Sequence, residues 1–257
     1  MTALLDVRSL SKHFGAIRAV DDVSFTLAKG EMLALIGPNG AGKSTCFNML
    51  MGQLTPDNGR VILDGTDITG LPTPEIWRRG VGRTFQITAT YSSMTVMENV
   101  QMALLSHHGQ VIDPVRAARR QHIEEALALL IRVDMADQAS RAAGVLAYGD
   151  LKRLELAIAL ANEPALLLMD EPTAGMAPGE RAAMMALTAE IVVERNIGVL
   201  FTEHDMDAVF THAHRVLVLD RGRLIAEGSV DEIRANPDVQ KVYLGDDLDD
   251  LGGGIHA

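Results

Sequence analysis

The sequence predicts an α/β protein with a largely parallel sheet at its core, an antiparallel β subdomain in its N-terminal part and an inserted α-helical subdomain. Apolar runs separated by helical stretches are typical of buried parallel strands, and three of them lie at residues 165–169, 198–202 and 215–219. The first thirty residues instead alternate apolar and polar side chains, which is typical of short strands with one exposed face. Residues 37–45 read GPNGAGKST and follow an apolar run at 32–36, so a glycine-rich loop is predicted between a strand and a helix.

The segment GPNGAGKST matches the whole phosphate-binding pattern G-x-x-x-x-G-K-[ST]. Gly37, Gly40 and Gly42 let the backbone curl so that its N–H groups point inward around a chain of phosphates. Lys43 brings a cation to the β- and γ-phosphates, and the hydroxyl of Ser44 is a ligand for Mg²⁺. A chance glycine-rich turn is the alternative, but the flanking strand and helix favour a nucleotide site. We predict that nine residues bind the nucleotide: Gly37, Pro38, Asn39, Gly40, Ala41, Gly42, Lys43, Ser44 and Thr45.

Strand patterns around this loop occur at residues 4–8, 19–25 and 59–65. They predict an antiparallel sheet packed around the loop and the helix that follows it. A short helix is expected next, because Pro74 fits a first helical turn and Gly80 stands near the end of the pattern.

From about residue 93 to residue 160 the pattern becomes helical. In the stretch 122–133, glutamates and an arginine fall largely on one side of the predicted helix. We expect the opposite, apolar face to be buried; it consists of Ile123, Ala126, Leu127, Leu130 and Ile131. A further helix is expected over residues 151–162, before Pro164.

Two adjacent carboxylates, Asp170 and Glu171, follow the apolar run at 165–169. Ligands of open α/β sheets gather at the carboxyl ends of strands, where these side chains emerge. Adjacent strand residues point to opposite faces, so the two carboxylates can take different roles. Asp170 is predicted to hold Mg²⁺, directly or through water, and Glu171 to act as the general base for an attacking water. The alternative is an acidic pair that only caps the next helix.

Three single residues complete the predicted site. Gln86 lies where the strand-rich part meets the helical part and could reach Mg²⁺ or water, although a lone glutamine in a loop is more often a surface residue. His204 follows the strand at 198–202, and we expect it to contact the γ-phosphate or the water rather than only to cap a helix. Phe14 could stack on adenine, but an ordinary core residue is the favoured interpretation from spacing alone.

Composition limits the classes of partner. The chain has 257 residues, 47% of them apolar, and a formal net charge of −11, which argues against nucleic acid as a partner. Its single cysteine, Cys46, excludes an internal disulfide and is expected to be a small buried helix residue. No signal peptide is apparent and no apolar run reaches the roughly 18 to 20 residues of a membrane span, so a soluble chain is expected. The acidic, glycine-rich residues 246–257 are expected to be disordered.

Taken together and in order, these motifs resemble those of an ABC transporter ATP-binding subunit, from about residue 4 to residue 245. The resemblance implies a P-loop NTPase (RecA-like) fold in one domain at 4–240, with a core at 4–88 and 161–235 and a helical subdomain at 89–160. It also implies ATP and Mg²⁺ as cofactors. The motifs that carry it are Phe14, GPNGAGKST, Gln86, LAYGD at 146–150, LLLMDE at 166–171 and His204.

The resemblance implies further roles and partners. Phe14 and Val20 would contact the base, Gln86 would bind Mg²⁺ and couple the site to the helices, and His204 would act as a switch. Gly149 in LAYGD would contact ATP held by a second ATPase subunit, identical or homologous. Membrane permease subunits, and indirectly a substrate-binding protein, would be the other partners, at the cytoplasmic face of the inner membrane.

The chain also departs from the family pattern. Ala147, Tyr148 and Asp150 replace the serine, glycine and glutamine of the usual signature LSGGQ, and Ala177 stands where an aspartate is often found. LAYG, DEPTAGM and the ending NPDV…VYLG resemble ATPases of branched-chain amino acid importers. ATPases of urea, short-chain amide and lipopolysaccharide transporters are similar, and a soluble regulatory ATPase is the rival from another class.

Overall fold

The computed structural model of the chain describes residues 3–84, 90–110 and 121–243 and contains two β-sheets with helices packed on them. The strands are β1 (Leu5–Phe14), β2 (Ile17–Leu27), β3 (Met32–Ile36), β4 (Asn58–Leu63), β5 (Thr66–Asp67), β6 (Val81–Thr84), β7 (Leu166–Asp170), β8 (Gly198–Thr202), β9 (Arg215–Asp220) and β10 (Arg223–Gly228). The helices are α1 (Lys43–Leu50), α2 (Thr73–Arg78), α3 (Val96–His107), α4 (Ile123–Arg132), α5 (Tyr148–Leu160), α6 (Pro178–Arg195), α7 (Met206–His212), α8 (Val230–Ala235) and α9 (Pro237–Tyr243).

Among the described residues, the larger sheet has six strands in the order β10-β9-β3-β8-β7-β6. Its strands pair in parallel except β10, which runs antiparallel to β9 at one edge. Strands β3, β7 and β8 are buried over their whole length, which explains why they read as continuous apolar runs. The predicted parallel core is therefore confirmed.

The side chains of β3 alternate between two separate apolar cores. Met32, Ala34 and Ile36 pack with residues of α3, α4, α5 and α6 on one face of the sheet. Leu33 and Leu35 pack on the other face with α1 and with strands β1, β2 and β4. Because β3 is covered on both sides, the loop that follows it is anchored at the centre of the molecule.

The smaller sheet is antiparallel, with the order β2-β1-β4-β5, and confirms the predicted N-terminal sheet. Its inward-facing residues share a core with α1, whose Phe47 and Cys46 are completely buried. Burial raises the pKa of the Cys46 thiol to about 12, so this cysteine is an inert core residue, as expected.

The buried face of α4 differs from the predicted one. Ala126 and Leu130 are buried as predicted, together with Leu129. The other three residues of the predicted face are exposed by 46% (Ile123), 37% (Leu127) and 63% (Ile131). Successive residues of a helix are about 100° apart, so residues 123, 127 and 131 form a row beside the row that contacts α3 and α5. The row that contacts these helices faces the core, and the row of residues 123, 127 and 131 does not.

Within the described ranges, no helix has both the length and the apolar composition that crossing a bilayer requires. The acidic segment 246–257 lies outside the described residues, so the expectation of disorder stays a prediction. The proposed division into a core and a helical subdomain also stays a prediction.

Candidate nucleotide site

The glycine-rich loop connects the buried carboxyl end of β3 to α1, which begins at Lys43. Gly37 and Gly42 adopt φ values of 150° and 108°, which L-residues with a side chain rarely adopt. A β-carbon at Gly37 would overlap the carbonyl oxygen of Leu219, and one at Gly42 would overlap that of Ala19. Both positions therefore require glycine for conformation and for packing.

The first residues of α1 offer donors to an anion. The backbone N–H groups in the first turn of a helix have no intrahelical acceptor and carry partial positive charge. At this position they belong to Lys43, Ser44 and Thr45, and α1 has no side-chain cap at Gly42. The side chain of Ser44 is exposed at the same helix end.

The Lys43 ammonium is folded back onto the loop. Its Nζ donates to the carbonyl oxygens of Gly37 at 2.6 Å and Pro38 at 3.2 Å. Burial lowers the pKa of Lys43, and the nearby negative charges of Glu171 and Asp170 raise it in opposition. The structure thus brings the loop lysine within electrostatic reach of both predicted carboxylates.

Asp170 ends β7 and is held by two neighbours that the sequence analysis missed. The hydroxyl of Thr202, on adjacent β8, donates to Asp170 Oδ1 at 2.8 Å. Arg83 on β6 places Nη2 3.5 Å from Asp170 Oδ2 and also donates to Asn48 of α1 at 3.1 Å. Arg83 therefore links the acidic strand end to the helix of the phosphate-binding loop.

Glu171 lies one residue beyond β7 and has a φ of 49°. Strand alternation therefore does not set its direction, and the reason that we gave for separate roles of the two carboxylates is wrong. Its backbone N–H donates to the carbonyl oxygen and to Oγ1 of Thr202, at 3.1 and 3.0 Å. Such left-handed conformations cost on the order of 1–3 kcal/mol and persist where the surroundings impose them.

The structure brings Glu171 and His204 into direct contact. His204 Nε2 lies 2.9 Å from Glu171 Oε1, and because an ionised carboxylate only accepts, the histidine nitrogen donates. The side chains of His204 and Glu171 are 49% and 19% exposed, so the pair is open to solvent on the histidine side.

Glu203, next to His204, is a further residue that the sequence analysis did not single out. Its carboxylate is buried and accepts from the backbone N–H of Thr173 at 2.8 Å and from the Thr173 hydroxyl at 2.7 Å. The backbone N–H of His204 also donates to it, at 3.3 Å. Glu203 thus ties the loop after Glu171 to the loop that carries His204.

The donors present fit Mg²⁺, which prefers carboxylate and hydroxyl oxygens. Asp170 offers a carboxylate fixed by Thr202, and Ser44 offers an exposed hydroxyl at the start of α1. Gln86, the third predicted ligand, lies outside the described residues.

The two residues predicted to contact the base, Phe14 and Val20, differ in their exposure to solvent. Phe14 ends β1 and is 48% exposed, so it is not the core residue that its spacing favoured and its ring is open to a stacking partner. Val20 is completely buried in the core beneath the antiparallel sheet. Contact of Val20 with a nucleotide is therefore a wrong prediction, because the side chain has no accessible surface.

The segment LAYGD forms the start of α5, which begins at Tyr148 rather than at residue 151 as predicted. Gly149 lies in the first turn and is buried against Glu180 and Met176, where a β-carbon would come within 3.2 Å of Glu180 Oε1. Ala147 at the N-cap provides no side-chain hydrogen bond. Asp150 places a carboxylate in the same turn.

A cavity of ≈ 430 Å³ opens beside the glycine-rich loop. The loop residues 38–41 line one side of it. Residues that the sequence analysis did not connect with the loop line the other, namely Asp220, Arg221, Lys241 and Val242. The basic groups of Arg221 and Lys241 thus add positive charge at this rim.

The chain is similar to known sequence families over most of its length. A family profile described as "ABC transporter" matches residues 20–174, and one described as "Branched-chain amino acid ATP-binding cassette transporter" matches residues 223–249. The high-affinity branched-chain amino acid transport ATP-binding protein BraF of Pseudomonas aeruginosa is 40% identical over 250 residues, covering 95% of this chain and 98% of BraF. The protein LivG of Escherichia coli K12, which has the same descriptive name, is 38% identical over 253 residues with the same coverage.

Solved structures give the same result for the fold. A nucleotide-free ATP-binding cassette from an ABC transporter superposes with a TM-score of 0.84 at 31% identity, covering 94% of this chain and 99% of that one. The ADP conformation of an ATP-binding cassette superposes with a TM-score of 0.85 at 32% identity, covering 95% and 100%.

Proposed function

The chain belongs to the ABC transporter family, and from this premise we propose that it is the ATP-hydrolysing subunit of an importer for branched-chain or related amino acids. The observation that carries the proposal is the pairing of Glu171 with His204 directly after Asp170 at the end of β7. Nucleotide binding alone requires the loop, whereas hydrolysis also requires a carboxylate placed for a water.

Phosphate binding starts from the folded-back position of Lys43. Its two hydrogen bonds to the neutral carbonyls of Gly37 and Pro38 would be exchanged for stronger charge-assisted bonds to phosphate oxygens. The N–H groups at the start of α1 provide the remaining donors. Phe14 provides an exposed ring for the adenine.

Hydrolysis requires a base beside the γ-phosphate, and Glu171 takes this role. Its carboxylate accepts the proton of the attacking water as the oxygen bonds to phosphorus and ADP leaves. The N–H of His204 holds one oxygen of that carboxylate in place. Mg²⁺, held by Ser44 and Asp170, would neutralise part of the phosphate charge when it is bound with ATP.

In this proposal a second ATPase subunit completes the ATP site. The first turn of α5 has N–H donors without a side-chain cap, a feature that favours an anion at this helix end. We assign that anion as the γ-phosphate held by the other subunit, with the backbone N–H of Gly149 as one of the donors of this turn. Asp150 in the same turn adds an opposing negative charge, so this chain contributes a weaker clamp than LSGGQ would.

The test is uptake by the purified complex of this chain with its permease subunits in proteoliposomes. We expect leucine uptake that requires ATP and the binding protein. Lys43→Ala should reduce hydrolysis and uptake together by about 10²–10³, the effect of removing one electrostatic stabiliser. Lys29→Ala, which removes an exposed lysine paired with Asp64, is the matched control. Uptake of a urea-type or lipid substrate instead, or hydrolysis indifferent to the permease, would refute the proposal.

A further inference from the structure

A cluster of two histidines and a glutamate joins the end of α3 to the start of α4. His108 directly follows α3, His122 directly precedes α4, and Glu125 lies in the first turn of α4. His108 Nε2 is 3.1 Å from Glu125 Oε2, and His122 Nδ1 is 3.0 Å from Glu125 Oε1. These helix ends carry none of the residues assigned to the nucleotide site.

The hydrogen bond of Gln110 determines which nitrogen of His122 carries the proton. His122 Nε2 lies 2.8 Å from Gln110 Oε1, an acceptor, so Nε2 is the donor. In the neutral ring, the lone pair of Nδ1 then faces a carboxylate oxygen only 3.0 Å away. Two acceptors at this distance need a cation between them. A histidine that donates its second nitrogen to an oxygen acceptor is the usual arrangement around a protein-bound metal.

Either a second proton on His122 or a metal ion can satisfy this arrangement. The rings of His108 and His122 stack with centroids 4.4 Å apart and planes inclined by 6°. His108 can donate to Glu125 as a neutral ring, whereas His122 would need a proton on both of its nitrogens, which places an imidazolium against the stacked ring of His108. A divalent cation would take the carboxylate and one lone pair from each ring, after one ring turns out of the parallel stack.

The dimensions fit a small coordination sphere. The candidate ligand atoms of the three side chains lie within 4.8 Å of one another. Zinc binds imidazole nitrogen and carboxylate oxygen at about 2.0–2.2 Å, which puts neighbouring ligands about 3.4 Å apart in a tetrahedron. The two nitrogen–oxygen distances, 3.1 and 3.0 Å, are close to this spacing. They involve different oxygens of Glu125, and the two rings lie in nearly parallel planes, so metal binding requires one ring to turn toward the other. A cavity of ≈ 230 Å³, lined by His108 and Glu125, gives room for a water ligand.

We propose that His108, His122 and Glu125 bind one divalent transition-metal ion of the zinc type, with Gln110 orienting His122. Two imidazoles and one carboxylate are the ligands that such ions take, and three protein ligands leave a position for water. The bound ion would join the end of α3 to the start of α4. The only thiol, on Cys46, does not compete, since it is buried and its pKa is about 12.

The test uses untagged full-length protein, freed of metal and nucleotide and titrated with Zn²⁺ by calorimetry. We expect one ion per chain in the wild type, and loss of that binding in His108→Gln and in His122→Gln. Gln110→Ala removes the residue that orients His122 and should weaken binding roughly 10- to 100-fold. His13→Gln is the matched control, because His13 pairs with Asp57 at 3.3 Å without a second histidine, and it should bind as the wild type does.

Two further readouts separate a metal site from a folding effect. Co²⁺ in place of Zn²⁺ should give visible absorption bands that Glu125→Gln abolishes, in a variant that still offers an amide oxygen to the histidines. Binding should also weaken in acidic buffer, since a protonated imidazole cannot bind a metal ion. Absence of stoichiometric binding, or equal binding by the double variant His108→Gln/His122→Gln, would overturn the proposal.

Discussion

Replacement of Thr202 by valine would test whether the hydroxyl between β7 and β8 positions the catalytic carboxylates. The side chain is completely buried, its hydroxyl donates to Asp170 Oδ1 at 2.8 Å, and it accepts the N–H of Glu171 at 3.0 Å. Valine keeps the shape but can do neither. Asp170 then loses a charge-assisted hydrogen bond, whereas the N–H of Glu171 keeps the carbonyl oxygen of Thr202 at 3.1 Å.

The expected loss of stability follows from the hydrogen bond to Asp170 that valine cannot make. A hydrogen bond to a charged group contributes about 1.5–3 kcal/mol, and most of this is lost because only one partner is removed. We expect unfolding free energy to fall by about 2 kcal/mol, which lowers the melting temperature by roughly 4–8 °C in a chain of this size. Because Asp170 also loses its orientation, ATP hydrolysis should fall about 10- to 100-fold, as for other residues that orient metal ligands.

Thr188→Val is the matched control for this experiment. Thr188 is also buried, but its hydroxyl donates to the carbonyl oxygen of Met184, one turn earlier in α6, at 2.9 Å. That carbonyl already takes part in the helix ladder, so its hydroxyl should contribute less than about 1 kcal/mol. Urea unfolding and steady-state hydrolysis are measured for both variants. The positioning role would be refuted if the two variants lost the same amount of stability and Thr202→Val hydrolysed ATP at the wild-type rate.

Three further predictions concern other residues of the site. Gly42→Ala should abolish nucleotide binding in a nucleotide-affinity assay and destabilise the protein by more than about 1 kcal/mol. The added β-carbon would overlap the carbonyl oxygen of Ala19, and the φ of 108° at this position disfavours any residue with a side chain. Nucleotide binding equal to that of the wild type would contradict this prediction. Glu203→Ala should lower kcat more than it raises KM, since it frees Thr173 without touching substrate, and a change in KM alone would argue against a positioning role. At pH 8 the Cys46 thiol, with a pKa of about 12, should react with a thiol reagent only as the protein unfolds, and its rate should fall with added ATP; rapid labelling of the native protein would exclude the buried state.

Local patterns predicted the parts of the fold that are set by neighbours in the chain. The run at 32–36 is strand β3, and the loop after it connects to α1 as the motif requires. Periodicity was less reliable where two apolar rows run side by side. In α4, the row containing Ile131 is as apolar as the row containing Leu130, and only packing against α3 and α5 decides which is buried.

Site residues that act across the chain were not predictable from the sequence. Thr202 lies 32 residues from Asp170, and Glu203 lies 30 residues from Thr173, so their roles depend on strand pairing. For Val20 the prediction came from the family resemblance. A resemblance assigns a role to a position in the sequence but does not show whether the side chain there is buried, and Val20 is completely buried.

Replacement of Glu171 by glutamine most directly tests the claim that this chain hydrolyses ATP with its own carboxylate. Glutamine can still accept the hydrogen bond of His204 but cannot take a proton from water. ATP affinity should be unchanged and steady-state hydrolysis should fall about 10²–10⁴-fold, whereas Glu194→Gln, at an exposed residue of α6, should behave as wild type. Near-normal turnover in Glu171→Gln would contradict the account.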